Sequence, residues 1–274
     1  MNIKLYNSRK EEYKNAWAIE QSSFWNNRDN VLKFFESNKD TISHLIEEIV
    51  AMSPSFVCFS VNTCAIFTTF EFARMLKEKI ADVKVILGGP QFFVSSDENI
   101  EAILQEPNID VIICGEGEKT LLELIDIFVK GQDIGLCDGV YFKKDSQIIK
   151  TQPKQSMQNL DELPFLDFSD FPLKEYEQNN PLGKHLSIMT SRGCCLSCVF
   201  CGPKAYWPGY RAMSGWRIYE EIRHHLAQNP DIEHIEFLDL LFNGNMKLLI
   251  EFCDLMISEP IKEGLKWHAN AIIR

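Results

Sequence analysis

No stretch of this chain approaches the roughly twenty consecutive apolar residues that a membrane span needs, and its first residues, MNIKLYNSRKEEYKN, lack the apolar core of a secretory signal. Positive charge is in short supply. Against 39 Asp and Glu stand 28 Lys and Arg, and the net charge of −11 argues against a broad phosphate-binding surface. The one notable basic group, Lys143, Lys144, Lys150 and Lys154, reads as the solvated edge of a hairpin. Low-complexity bias is missing too: 45% hydrophobic and 24% charged residues make ordinary globular material, and 274 residues are comfortable for two domains. A disulfide framework is also lacking, since the nine cysteines are odd in number and several stand alone in apolar runs. These absences point to the cytoplasm and make membranes and nucleic acids poor partners.

What the chain does have is SRGCCLSCVFCG, with Cys194, Cys198 and Cys201 spaced C-x3-C-x2-C. Three thiolates on one loop can each bind one iron of a four-iron, four-sulfur cube, leaving the fourth iron open. A cluster that only carries electrons normally has four cysteines, so three suggest chemistry at the iron. A zinc knuckle is the main rival, but zinc prefers a second pair of ligands. Only Cys253, in a helical pattern, and His224 and His225, beyond a loop, are available for it. Loop cysteines with no metal role are the bland alternative.

Upstream, residues 11–52 place Val31, Phe34, Phe35, Ile42, Leu45, Ile46, Ile49 and Val50 at helical spacing. Short apolar runs then alternate with helices: strands at 56–61, 83–87 and 109–114, helices at 67–79, 99–105 and 120–129. Runs without polar alternation predict a parallel sheet covered on both faces, an α/β Rossmann-like domain within residues 1–151. A hairpin at 139–142 and 147–150 closes it. Ligands of such sheets sit beyond the carboxyl ends of the strands. Those ends carry Ser60, the pair Gly88 and Gly89, and Gly115, Glu116 and Gly117, where glycines either admit a ligand or only turn the chain. Residues 152–183, with Pro153, Pro164, Pro172 and Pro181, read as a linker. A second α/β unit spans 184–274, with a strand at about His185, a helix over Ser214 to Leu226, a strand at 235–239, a helix at 243–258 and a strand at 265–273.

The cysteine spacing, with an aromatic residue before the last thiol and the apolar run leading into Gly193, resembles the signature of the radical S-adenosylmethionine (radical SAM) superfamily. LGGPQ, then GEGEKTLLEL, the hairpin and NLDELPFLDFSDFP resemble the N-terminal domain of its cobalamin-domain class. The resemblance implies a [4Fe-4S] cluster on Cys194, Cys198 and Cys201. Its open iron would chelate S-adenosylmethionine, and a reductant such as flavodoxin or ferredoxin would drive cleavage to a 5′-deoxyadenosyl radical. It places Phe200, Gly202 and Asp239 at S-adenosylmethionine, and Ser60, Gly88, Gly89, Gly115, Glu116 and Gly117 at cobalamin. Cys195, often proline in relatives, is expected to be a non-ligand. Tyr206, Trp207 and Tyr210 would shield the cluster or simply pack.

Two departures stand out. The D-x-H-x-x-G motif, whose histidine ligates cobalt, is absent, and His44 sits in a helical pattern. Relatives without that histidine include proteins that bind cobalamin and proteins that do not. The chain also ends after KWHANAIIR, about halfway through the six βα units of the family's partial barrel, so a truncated product or a second polypeptide is expected. Asn243 is expected to cap a helix. His268 and Asn270 share one face of the last strand, lining a pocket or facing solvent. The expected function is reductive cleavage of S-adenosylmethionine by an enzyme whose substrate the sequence does not name, with methyl transfer through cobalamin as one outcome. The alternative is a non-catalytic cluster- or cobalamin-binding fragment. Methylthiolation would call for an upstream cysteine set, and Cys58, Cys64, Cys114 and Cys137 are scattered.

Overall fold

The computed structural model describes residues 22–171, 173, 184–199, 201, 206, 207 and 209–273. The expected helical segment 11–21, Phe200 and Gly202 lie outside the described residues. Two compact units divide after Ser156. No helix among the described residues is long and apolar enough to cross a membrane.

In the first unit, helices α1 (Arg28–Ser37) and α2 (Lys39–Ala51) are amphipathic, and Val31, Phe34, Ile42 and Ile46 pack with Leu76. Asn27 caps α1 by accepting from the Asn30 amide. His44 lies on the solvent side of α2 and pairs with Glu48 at 3.3 Å. The sheet runs β1 (Phe56–Ser60), β2 (Lys84–Gly88), β3 (Val111–Ile113), β4 (Val140–Lys144) and β5 (Gln147–Lys150) in spatial order. The first three strands are parallel and the hairpin β4–β5 adds antiparallel. Helices α3 (Ile66–Lys79), α4 (Asp97–Leu104) and α5 (Gly117–Val129) cover it. Alternate residues feed opposite faces: Val85 and Leu87 join Phe70, Ala73 and Leu104, whereas Ile86 and Ile113 join Leu124 and Ile127. Burial on both faces is why these strands read as unbroken apolar runs. The hairpin lysines are balanced by acids, Lys144 with Asp133, Lys150 with Asp97 and Lys154 with Glu123.

The second unit has three parallel strands, β6 (His185–Ile188), β9 (His234–Phe237) and β10 (Lys266–Ala269), with β9 in the centre. Helices α6 (Gly215–Gln228) and α7 (Met246–Ser258) pack on one face through Ile218, Ile222 and Phe252 against Leu186, Ile188, Ile235 and Phe237. The other face is polar. Two short strands, β7 (Ser191–Arg192) and β8 (Arg211–Ala212), form a separate antiparallel ladder.

Residues 157–171, within the stretch read as a linker, pack on this unit, with Met157 and Leu160 in its core. Leu163 accepts from Arg217, the Leu166 amide donates to Glu221 at 2.9 Å, and Phe165 lies between the Arg217 guanidinium and the His224 ring. Asn243 corrects the sequence reading. The helix cap is Asn245, which accepts from Lys247 and Leu248 amides, because a 3-10 turn at Phe242–Gly244 delays α7. Asn243 instead holds the Ile272 backbone at both its carbonyl and its amide, at 2.7 and 3.1 Å.

Candidate functional site

The cysteine loop leaves the carboxyl end of β6 and returns through β8. Its neck is the β7–β8 ladder, Ser191 opposite Ala212 and Arg192 opposite Arg211, extended by the Met213 amide donating to Thr190 at 2.9 Å. Gly193 sits just inside with φ +80°, and a Cβ there would fall 1.7 Å from the Gly209 carbonyl oxygen. Only glycine lets the two arms approach this closely.

Asp239, two residues beyond β9, anchors the neck from below. Its carboxylate accepts from the Thr190 amide at 3.0 Å, the Thr190 hydroxyl at 3.0 Å and the Ser191 hydroxyl at 2.5 Å. It is fully buried, and burial lifts its pKa above the usual carboxylate value against the pull of those hydrogen bonds. The acid expected at S-adenosylmethionine is therefore engaged by the strand that leads into the loop. Asn270 donates to the Asp239 carbonyl at 3.2 Å, so it too braces backbone.

Within the loop Cys194 is half-buried, while Cys195, Cys198 and Cys201 are exposed and all four are free thiols. The Cys201 amide donates to the Cys198 carbonyl at 3.2 Å. Among the described residues no three His, Cys, Asp or Glu side chains stand close enough to share one metal ion, so the loop carries its thiols without gathering them on one point. The donor set itself is soft and suits iron–sulfur ligation. The two histidines the zinc rival would draw on are engaged elsewhere: His225 is buried against Glu221 at 2.7 Å, and His224 stacks on Phe165. Trp207 lies under the Arg192 guanidinium, 5.0 Å from ring centre, which makes it part of the neck. Tyr210 is packed against Gly244, where a Cβ would come within 2.5 Å of its ring, and burial raises its hydroxyl pKa.

The first unit contains a cleft of about 390 Å³ at the carboxyl ends of β1, β2 and β3. Ser60, Gly88, Gly89, Gly115 and Gly117 line it as expected; Glu116 does not, and Glu118, Cys58 and Leu121 do. Cys58 was legible, since strand periodicity puts it on the face of Ser60. Glu118 and Leu121 belong to the first turns of α5, which the glycine turn brings over the sheet. Gly89 has φ +101°, and a Cβ there would meet the Val61 amide nitrogen at 2.7 Å. Cys137 is buried and Cys114 half-buried against the core, and burial pushes their thiols to about 11 and about 12, so neither is a ready ligand.

No known family profile matches the chain. Over 236 residues, 84% of its length, it is 31% identical to an uncharacterized methyltransferase of Pyrococcus horikoshii, of which it covers 49%. It is 28% identical over 226 residues to the anaerobic magnesium-protoporphyrin IX monomethyl ester cyclase of Synechocystis sp., covering 81% of this chain and 44% of that one. The chain thus spans about half the length of these curated relatives. Among solved structures, the cobalamin-dependent radical SAM enzyme OxsB, with aqua-cobalamin and S-adenosylmethionine bound, matches with a TM-score of 0.67 at 22% identity, over 82% of this chain and 31% of that one. The radical SAM methyltransferase TsrM of Kitasatospora setae, with tryptophan and an S-adenosylmethionine analogue bound, matches with a TM-score of 0.65 at 20% identity, over 85% and 47%. The parallel sheet ending in a glycine-lined cleft and the three-cysteine loop thus sit in a fold shared with these cobalamin-dependent radical SAM enzymes, in a chain whose sequence is similar to methyltransferase and cyclase relatives over most of its length.

Proposed function

We propose that this chain supplies the cobalamin domain and the cluster-binding part of a radical SAM enzyme of the methyltransferase type. The observation that carries the proposal is the three-thiol loop, opening from the first strand of a parallel βα unit and shut at its neck by the β7–β8 ladder and Asp239. Cys194, Cys198 and Cys201 would hold a [4Fe-4S] cluster, and Phe200 and Gly202 would stand beside S-adenosylmethionine. When bound and reduced by a flavodoxin- or ferredoxin-type donor, that cluster supplies the electron that splits the sulfonium. The chain's own part is positional. Gly193 lets the arms of the loop close, Asp239 fixes Thr190 and Ser191, and Arg192 with Trp207 packs the neck.

In the first unit, the cleft would take the part of cobalamin that enters between the strand ends and α5. Ser60 offers a hydroxyl, and Gly88 and Gly89 offer a flat backbone approach. No histidine lines the cleft among the described residues. Anaerobic reconstitution tests the proposal: about four irons per chain, lost in Cys198→Ala, with a spectral change on adding S-adenosylmethionine. Zinc in place of iron would refute it. Added hydroxocobalamin should co-purify with the chain and show the spectrum of cobalamin lacking a histidine ligand.

A further inference from the structure

The polar face of the second unit's sheet calls for an explanation, because parallel strands are normally apolar on both sides. Here each strand alternates strictly. Leu186, Ile235 and Trp267 face the helices, and their neighbours form two polar rows that run across the sheet in register. His185, His234 and Lys266 make one row, at the amino ends of the strands; Ser187, Glu236 and His268 make the next. Interiors of closed βα barrels are ordinarily filled by branched apolar side chains. This surface is built to meet something polar.

Its hydrogen bonds give the sign of that partner. Glu236 is the only acid in the two rows, and both of its oxygens are engaged: Oε2 accepts from Ser187 at 2.8 Å and Oε1 lies 3.3 Å from His268 Nε2. The other nitrogen of His268, Nδ1, lies 2.7 Å from His234 Nε2. A carboxylate can only accept, so His268 donates to Glu236 through Nε2–H and, when neutral, accepts from His234 through Nδ1. His234 thereby ends the chain with Nδ1 unengaged in it. Beside it, Lys266 is exposed and has no ion-pair partner among the described residues. Burial and the neighbouring His268, His185 and Lys266 hold the His234 pKa below its ordinary value, with Glu236 the one group opposing them. Lys184, next to His185, is already paired with Asp231 at 3.4 Å.

We infer that this floor binds an oxyanion, the carboxylate or phosphoryl group of the enzyme's substrate, on His234 and Lys266, while His185 lies towards Glu236 at 3.9 Å. Calling its carrier the substrate rests on the function proposed above; the anion site itself does not. Three residues of strand, about 10 Å, separate the His185–His234–Lys266 row from the strand ends where the cysteine loop begins. The substrate is accordingly an elongated molecule with an anionic end away from its reacting end. An anion there favours protonated His234, so binding takes up a proton and tightens as pH falls through the histidine range.

Histidine-detected NMR of the whole chain, titrated with sodium sulfate and separately with sodium acetate at constant ionic strength, tests this. Sulfate keeps its charge across the histidine range, so any pH dependence belongs to the protein. The titration midpoint of His234 should rise by about half a unit or more. A response to sulfate alone assigns a phosphoryl end, and a response to acetate alone a carboxylate end. Lys266→Met, an exposed change, should abolish the shift while leaving the circular dichroism unchanged. No shift with either anion, or a shift that persists in Lys266→Met, overturns the inference. Because the readout needs no cluster, anion binding without iron would sink the radical reading alone, and iron without anion binding would sink this one alone.

Discussion

Replacing Asp239 by alanine should both weaken the second unit and loosen the cysteine loop. The substitution removes the acceptor for three donors, the Thr190 amide and hydroxyl and the Ser191 hydroxyl, at a position with no solvent exposure. A buried donor left unsatisfied costs roughly 1–3 kcal/mol. The two hydroxyls can rotate towards other acceptors and the amide cannot, so we expect a loss of about 3–5 kcal/mol, a large share of the roughly 5–15 kcal/mol that holds a domain together. Asp239→Asn keeps the shape and one carbonyl oxygen for the amide, and the hydroxyls can turn to accept from its NH2 group. Its cost should stay near 1–2 kcal/mol.

Urea unfolding followed by tryptophan fluorescence reports mainly on this unit, since three of the five tryptophans, Trp207, Trp216 and Trp267, lie in it. The pH dependence gives an independent sign. Burial raises the folded pKa above the free-chain value of 3.8, so the folded state keeps a proton that the unfolded chain has released. Stability from this site is present below that value and is lost as pH rises through the folded pKa, a slope that Asp239→Asn should remove. Iron retention after reconstitution should fall in the order wild type, Asn, Ala. An alanine variant within about 0.5 kcal/mol of wild type, or an asparagine variant worse than alanine, would refute the reasoning.

Gly89→Ala should destabilise the first unit by about 1–3 kcal/mol, because φ is +101° and the new methyl would press on the Val61 amide; thermal unfolding measures this. The same variant should weaken cobalamin retention more than it weakens folding, readable by equilibrium dialysis. Cys198→Ala should abolish the iron content while leaving the circular dichroism unchanged, whereas Cys195→Ala should leave both as they are. Glu221 is buried, which alone would raise its pKa, yet His225, the Leu166 amide and Arg217 hold it below the usual carboxylate value. Its stabilisation is therefore present above about pH 4.5 and lost as pH falls through the folded pKa. Glu221→Ala should cost roughly 3–5 kcal/mol by leaving the Arg217 guanidinium buried without its partner and the His225 ring without its acceptor, and should flatten that acid limb in a urea titration at several pH values.

The sequence made the strands and helices of the first unit legible because each is buried in a regular period: unbroken apolar runs for β1 to β3, helical spacing for α1 and α2. It also marked the cysteine loop, whose C-x3-C-x2-C spacing stands out locally. What it concealed depends on contacts between distant segments. Asp239 was legible as an acid at a strand end, but its position there does not say that Thr190 and Ser191 will donate to its carboxylate. Asn243 looked like a cap because nothing local distinguishes it from Asn245, two residues on; the intervening 3-10 turn decides. The prolines of 152–183 suggested a spacer, yet Met157, Leu160 and the Phe165 stack tie its described part to α6, an attachment made by Arg217 and Glu221 some fifty residues away. The polar rows of the second sheet were half visible in His268 and emerge fully only from the register of three strands.

The neck of the cysteine loop has a consequence for assembly. The packed interior of the second unit draws on Leu186, Ile188, Ile235, Phe237 and the two helices and includes none of the loop thiols. Metal capture by the cysteine loop, as proposed above, would thereby be uncoupled from folding, unlike small zinc modules in which the ion is the core. Under that proposal the folded apoprotein would present a tethered three-toothed chelator: once one thiolate had taken an iron, the other two would attack from the same short loop at high effective concentration. Under the function proposed above, a cellular cluster carrier would load, strip and reload this chain as a finished scaffold, and oxidative loss of the metal would leave a repairable protein rather than an unfolded one.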